Sequence, residues 1–133
     1  MTTKITFLGS ASAFYDDTDN YQSNILIEKN GKRLLLDCGS DIRFSIRDAG
    51  LKLTDIDAVY VSHIHADHVG GMECLGFVKK FTPGQHKPLL FASSMVIKDL
   101  WSKSLSGGMG SIQGEVADLS TFLIVMPYLC CKS

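Results

Sequence analysis

Polar and apolar residues alternate over residues 4–8, and the run then meets Gly9-Ser10. This predicts a short strand closed by a turn. Two further apolar runs, 24–28 and 32–37, flank Asn30-Gly31. That pair takes positive φ at little cost, so the runs are expected to form an antiparallel hairpin. The second run carries Leu34, Leu35 and Leu36 in succession and reads as a strand buried on both faces. A helix follows: Ser40 or Asp41 can cap it, Ile42, Ile46 and Ala49 share a face, and Gly50 stops it. Residues 58–61 form the next predicted strand, after a cap at Thr54-Asp55. Over 68–81 the spacing of Met72, Leu75, Val78 and Phe81 is helical, ended by Pro83-Gly84. A short strand at 89–92 precedes a helix that Ser93 or Ser94 can cap, carrying Val96, Ile97, Leu100, Trp101 and Leu105. Alternating strands and helices predict an α/β layered fold.

The patterning then fades. Residues 106–114 contain four glycines and read as a mobile loop, while 122–133 are apolar without a period and end on Cys130-Cys131-Lys132-Ser133. The chain is therefore divided into a domain portion, 1–120, and an atypical tail, 121–133. The tail is expected to be non-native sequence from a truncated or frameshifted gene.

Composition narrows the classes. A chain of 133 residues with 45% hydrophobic and 20% charged residues suits one folded domain rather than disorder. Thirteen basic and 14 acidic residues give a net charge of −1. No general basic surface exists for nucleic acid or membrane, so RNA could be engaged only through a local patch. Cys38, Cys74, Cys130 and Cys131 show no C-x-x-C spacing, and the N-terminus has no apolar signal core. A cytoplasmic protein with free thiols is the expectation. The apolar run 122–126 is too short to span a bilayer, so no membrane partner is expected.

The chemistry is concentrated at one point. Three of the four histidines, His63, His65 and His68, fall within six residues together with Asp67, directly after a predicted strand. In extended backbone His63 and His65 point the same way and can share one metal, while Asp67 and His68 can face a second after the chain turns. Imidazole with carboxylate suits zinc, and also manganese or iron. Two such ions can share a hydroxide and clamp the attacking and leaving oxygens of a displacement.

His63-Ile64-His65-Ala66-Asp67-His68, followed by Val69-Gly70-Gly71, resembles the signature of the metallo-β-lactamase-fold hydrolases. Phe7-Leu8-Gly9-Ser10 and Leu36-Asp37-Cys38-Gly39 agree, and resemble the ribonuclease Z and phosphodiesterase branch more than the antibiotic-hydrolysing one. The resemblance covers about Lys4 to Leu105. It implies the N-terminal portion of an αββα sandwich: a mixed sheet with helices on its outer face. It also implies that His63 and His65 bind the first metal and Asp67 and His68 the second, with two zinc ions in a complete site. Asp67 would in addition orient or deprotonate the attacking water. Asp37 would support the site from behind its ligands, although a turn-forming Asp before Gly39 explains it equally well. Gly70 and Gly71 would permit close backbone approach.

The family's further ligands, a His, a bridging Asp and a final His from later strands, have no match. His86 reads as a loop residue, and Asp118 is the one late acid in a suitable setting. A half-domain would leave one sheet face uncovered, so aggregation, a homodimer or a completing chain is expected. The function implied is metal-dependent hydrolysis of a phosphodiester such as RNA or a cyclic nucleotide. Two alternatives stand beside it: an inactive fragment that binds metal weakly or needs a partner, and an ester or thioester hydrolase. Asp16, Asp17 and Asp19 are expected in a solvated loop, Trp101 in the core, and Cys74 as a buried free thiol; Lys79, Lys80 and Lys87 with His86 could attract a phosphate-bearing substrate, and a solvated helix end explains Lys79 and Lys80 as well. Cys38 is not expected among the ligands.

Overall fold

The computed structural model describes residues 2–127; Cys130 and Cys131 lie outside the described residues. Six strands form one sheet in the order β1-β2-β3-β4-β5-β8: Lys4–Phe7, Ile25–Lys29, Lys32–Leu36, Ala58–Tyr60, Leu89–Ala92 and Ile124–Pro127. A small hairpin, β6 (Ser111–Ile112) with β7 (Glu115–Val116), stands apart. The first three strands of the sheet are antiparallel, and β3, β4, β5 and β8 are mutually parallel. The β2–β3 turn is the one Asn30-Gly31 predicts, with φ of 53° and 74°. The parallel connections run through α1 (Ile42–Asp48), then α2 (Ala66–Val69) with α3 (Met72–Phe81), and last α4 (Ser94–Leu100), α5 (Ser106–Met109) and α6 (Leu119–Phe122).

Period-two patterning decides which sheet face is covered. Leu26, Leu35, Val59 and Leu90 lie in one register row, and all are fully buried. They meet Ile42, Ile46, Met72, Leu75 and Leu100 in a single core beneath the helices. The opposite face carries apolar residues, and among the described residues no element packs on it. This corrects the expectation for β3: Leu35 is buried, whereas Leu34 and Leu36 are only half-buried and line an apolar hollow with Tyr60 and Phe91. Three consecutive leucines cannot distinguish a doubly covered strand from one whose second cover is missing.

Other expectations change for local reasons. The helix expected over 68–81 is broken at Gly70-Gly71, because a Cβ on Gly71 would lie 2.3 Å from the Gly39 oxygen and 2.4 Å from Ile42 Cγ2. The tight backbone crossing expected of these glycines is present, Gly70 closing α2 and Gly71 standing at the N-terminus of α3. Asp41 sits at the N-cap of α1 without capping it; its Oδ2 instead accepts from the Gln22 amide at 2.9 Å. The glycine-rich stretch is ordered rather than loose. A π-helical segment, Trp101–Leu105, leads into α5, and Met109 is fully buried with its Cε against Gly76. Lys79 is buried, not solvated, and its Nζ donates to Thr54 O at 3.2 Å and Gln85 Oε1 at 3.0 Å. Trp101 is half-buried against the core, and Cys74 is half-buried.

The boundary expected at 120/121 falls inside α6. Asp118 caps that helix, accepting from Thr121 N at 3.1 Å, which accounts for this acid structurally. Phe122 and Leu123 enter the core, and β8 pairs with β5. Among the described residues no helix is long and apolar enough to cross a membrane.

Candidate metal centre

The histidine cluster begins where β4 ends, beside the end of its parallel neighbour β3. Val61 N still donates to Phe91 O at 2.9 Å, so the chain leaves the sheet at Ser62. Ile64 packs toward the core, so His63 and His65 on either side of it turn outward and are exposed. His65 is extended (φ −69°, ψ 153°) and starts α2; His68 N and Val69 N both donate to its carbonyl, at 2.9 and 3.0 Å. The short helix survives because Val69 is buried beneath it. Asp67 and His68 are thereby held on the mouth side, each about one-fifth exposed or less.

Asp37 is the pivot. Its φ is 64°, a left-handed conformation that Asp tolerates better than most residues but at some cost. Its amide still donates to Tyr60 O at 2.8 Å, so the turn follows directly on the ladder. The turn aims the carboxylate at the cluster. Oδ2 accepts from His68 Nδ1 at 2.7 Å, Oδ1 accepts from Ser62 N at 2.8 Å, and Ser62 Oγ lies 2.8 and 2.9 Å from the two oxygens. Ser62 Oγ also lies 3.0 Å from His63 Nδ1.

The backbone around this pivot is clamped by a residue the sequence did not flag. Asn24 is completely buried; its Oδ1 accepts from Gly39 N at 2.8 Å and its Nδ2 donates to Asp67 O at 3.1 Å. Cys38 N donates to His68 O at 2.8 Å, and Gly71 N donates to Cys38 O at 3.0 Å. Gly39 has no room for a side chain, since a Cβ would stand 2.4 Å from Asp67 O. Cys38 is fully buried, and desolvation pushes its thiol well above the ordinary range, so it remains a neutral thiol in the core. Neither Ser62 nor Asn24 belongs to a recognisable motif; only their placement identifies them.

The sequence-predicted residues are brought together unevenly. The His63 ring lies 4.9 Å from that of His65, edge to face, and 3.8 Å from that of His68. Asp67 Oδ2 lies 3.0 Å from His68 Nε2. Among the described residues no group of three or more His, Cys, Asp or Glu side chains is arranged to hold a metal ion. His86 lies away from the cluster, at the hollow with Leu34, Ala58 and Leu89.

The donor chemistry nevertheless fits a metal at one edge. An ionised Asp37 only accepts, so it fixes the Nδ1 proton of His68 and leaves Nε2 as an acceptor. That acceptor faces a second acceptor, Asp67 Oδ2, at 3.0 Å. A metal cation bound by both would satisfy the two acceptors at once. Two ligands at ordinary zinc distances are about 3.3 Å apart along a tetrahedral edge, close to the observed spacing.

Comparison with known proteins gives a consistent result. The profile of the family described as anti-Pycsar protein Apyc1 matches residues 3–129. The anti-Pycsar protein Apyc1 of Paenibacillus harenae is 40% identical over 125 residues, which make up 94% of this chain and 50% of that protein. That of Bacillus phage vB_BveM-Goe7 is 34% identical over 124 residues, 93% of this chain and 48% of that protein. The chain thus spans about half the length of the curated relatives it matches. Among solved structures, the metallo-β-lactamase-fold protein YhfI of Bacillus subtilis superposes with a TM-score of 0.70 at 22% identity, covering 96% of this chain and 46% of that one. Human tRNase Z, short form, superposes with a TM-score of 0.61 at 22% identity over 75% of this chain and 38% of that one. The fold is that of the metallo-β-lactamase proteins, present over about half of its usual extent.

Proposed function

The chain belongs to the anti-Pycsar protein Apyc1 family, and from that membership we propose that it forms part of a metal-dependent hydrolase acting on phosphodiesters. The observation that carries the reading is the chain of contacts from Asp37 through His68 to Asp67, at 2.7 and 3.0 Å. His63 and His65 would hold one ion and Asp67 and His68 a second, zinc being the metal best suited to this donor set. Such a pair, when bound, supplies a hydroxide at neutral pH and neutralises charge developing on phosphoryl oxygens.

The chain's own groups have separate tasks. Asp37 holds the His68 ring in the tautomer that presents Nε2 to the mouth. The Asp67 carboxylate orients the attacking water and accepts its proton. Ser62 anchors Asp37 from the other side and keeps its strained turn in place. With 13 basic and 14 acidic residues, this chain carries no net positive charge to favour a long nucleic-acid backbone. That favours a compact phosphodiester, such as a cyclic nucleotide, over RNA. The relatives' name marks them as countering Pycsar, and the same role is proposed for a whole protein that contains this chain.

A second reading is favoured by the lack, among the described residues, of any three such donors gathered at one point: a chain that is inactive and binds metal weakly until another chain completes the site. An ester or thioester substrate on the same fold is the third. Metal content of the purified chain, measured together with turnover of a chromogenic phosphodiester, separates the first two, with His65→Ala as control. Stoichiometric zinc with turnover lost in the variant supports the enzyme. Less than one metal per chain and no turnover supports the incomplete site, and a matched panel of ester and thioester substrates tests the third.

A further inference from the structure

The uncovered sheet face is organised across its whole width. Strand register places Ile5, Ile27, Leu34, Ala58, Leu89 and Ile124 side by side in one row. Two residues along each strand, Phe7, Ile25, Leu36, Tyr60, Phe91 and Met126 form a second. Neither row contains a charged residue. Ile5 and Phe7 are 57% and 73% exposed, Ile124 and Met126 46% and 38%, so the face is open from one edge strand to the other. Its middle is dished: Leu34, Leu36, Tyr60 and Phe91 line a hollow of about 380 Å³.

We propose that a second copy of this chain covers this face, the two sheets packing with their strands parallel so that both histidine clusters lie on one rim. Size is the first argument. Six strands about 4.8 Å apart and two rows about 6.7 Å apart make a patch of roughly 29 by 13 Å. With side-chain relief this is on the order of 600 Å² of accessible surface per copy, about 1,200 Å² for the pair, at the lower bound of stable interfaces. Chemistry is the second. The two rows carry no charged position and can meet their own copy without burying an unpaired charge; Lys29 and Lys32, which continue this face beyond the rows, are exposed, and a net charge of −1 per chain gives little long-range repulsion.

The orientation follows from the site. Asp37 closes β3 and Ser62-His63 follows β4, so the cluster stands at the carboxyl ends of two parallel strands. A two-fold axis lying between the sheets along the strand direction keeps those ends on the same side. Two packed sheets are about 10 Å apart, which brings one copy's His63, His65, Asp67 and His68 opposite the other's. Each cluster then gains donors that its own described residues do not supply. The shared rim rests on the metal reading above; the pairing of sheet faces does not.

The test is sedimentation equilibrium of the full chain with zinc titration, comparing wild type with Leu36→Lys and Phe91→Lys. Both positions are half-buried in the single chain, so a lysine there can extend to solvent and leave the monomer folded. The expected result is a wild-type species of twice 14.6 kDa, monomers for both variants, and zinc affinity reduced at least tenfold in the monomers although every histidine is intact. A wild-type monomer, an open-ended aggregate, a dimer that survives both lysines, or a stable complex only with a different chain overturns the proposal. A dimer dissolved by the lysines with zinc affinity unchanged overturns the shared rim. A dimer dissolved by the lysines from a chain that binds no zinc in any form would sink the metal reading instead, while supporting the pairing.

Discussion

Asn24→Ala is the substitution that most directly tests how the site is held. The Asn24 side chain is fully buried and makes two hydrogen bonds, from Gly39 N at 2.8 Å and to Asp67 O at 3.1 Å. Truncation leaves a buried donor and a buried acceptor, and each such orphan costs about 1–3 kcal/mol. Partial hydration of the vacated space sets the lower end, so the expected loss is about 2–4 kcal/mol. That is a large fraction of the ~5–15 kcal/mol that folds an ordinary domain. Urea unfolding followed by the fluorescence of Trp101, the lone tryptophan, reads it directly. At a slope of about 1–3 kcal/mol per molar, the midpoint should fall by at least ~0.7 M. Amide exchange supplies the local reading, with protection of Gly39 N–H lost ahead of the β3 and β4 ladders. A loss below about 1 kcal/mol with Gly39 still protected would refute the assignment of Asn24 as the clamp.

Two further predictions concern single charges. Asp37→Asn should preserve the turn, because Asn also tolerates positive φ, and should still accept from His68 Nδ1, yet zinc affinity should drop about 10–100-fold for want of the charge; calorimetric titration at wild-type affinity would argue against the supporting role. Lys79 is drawn below its ordinary range by burial, opposed by Asp57 and Asp55. Between that depressed value and about 10.4 the unfolded chain holds the proton more tightly, so this group's contribution to stability grows as pH rises through the window and is lost as pH falls through the folded value. Relative to Lys79→Met, the wild-type melting temperature should therefore gain between pH 8 and pH 10; a constant difference would contradict the burial.

How much of this was legible in the sequence depended on the range of the interaction. The β2–β3 hairpin was readable because Asn30-Gly31 specifies its own turn. The helix after Ser93 was readable because its cap and its apolar stripe are both local, and Ser93 Oγ does accept from Val96 N at 3.2 Å. The break at Gly70-Gly71 was not, because it is imposed by Gly39 and Ile42, some thirty residues upstream. Order in the glycine-rich stretch was missed for a similar reason: Gly76 on α3 leaves the space that Met109 fills. Lys79 was read from its position at the end of a helix, whereas its burial depends on acceptors from two other segments. The four residues of the candidate site were visible as a motif, but their support was not. Asn24 has no sequence signature, and in sequence Asp37 fits a plain turn as well as a supporting role; the structure shows both the turn and a carboxylate on His68.

These distances of interaction also bear on what limits the site. Every contact that orients Asp67 and His68 arises within this chain: Asn24 from the start of β2, Asp37 and Cys38 from the end of β3, and Ser62 from the end of β4. None of them passes through the open sheet face, where the row residues point away from the helices. Covering that face therefore has no need to reshape the motif; its contribution would be further donors and a drier mouth, in which electrostatic attraction to a metal is stronger. A flexible, unformed motif would bind zinc poorly because ordering it costs entropy, and rigidifying solvents would then improve binding without a partner. A formed but under-coordinated motif behaves differently. Its zinc affinity should respond to added small ligands that fill open coordination positions, imidazole for example, and hardly at all to sucrose. Zinc titrations with each additive separate the two cases, and the preformed contacts at 2.7 and 3.0 Å favour the second.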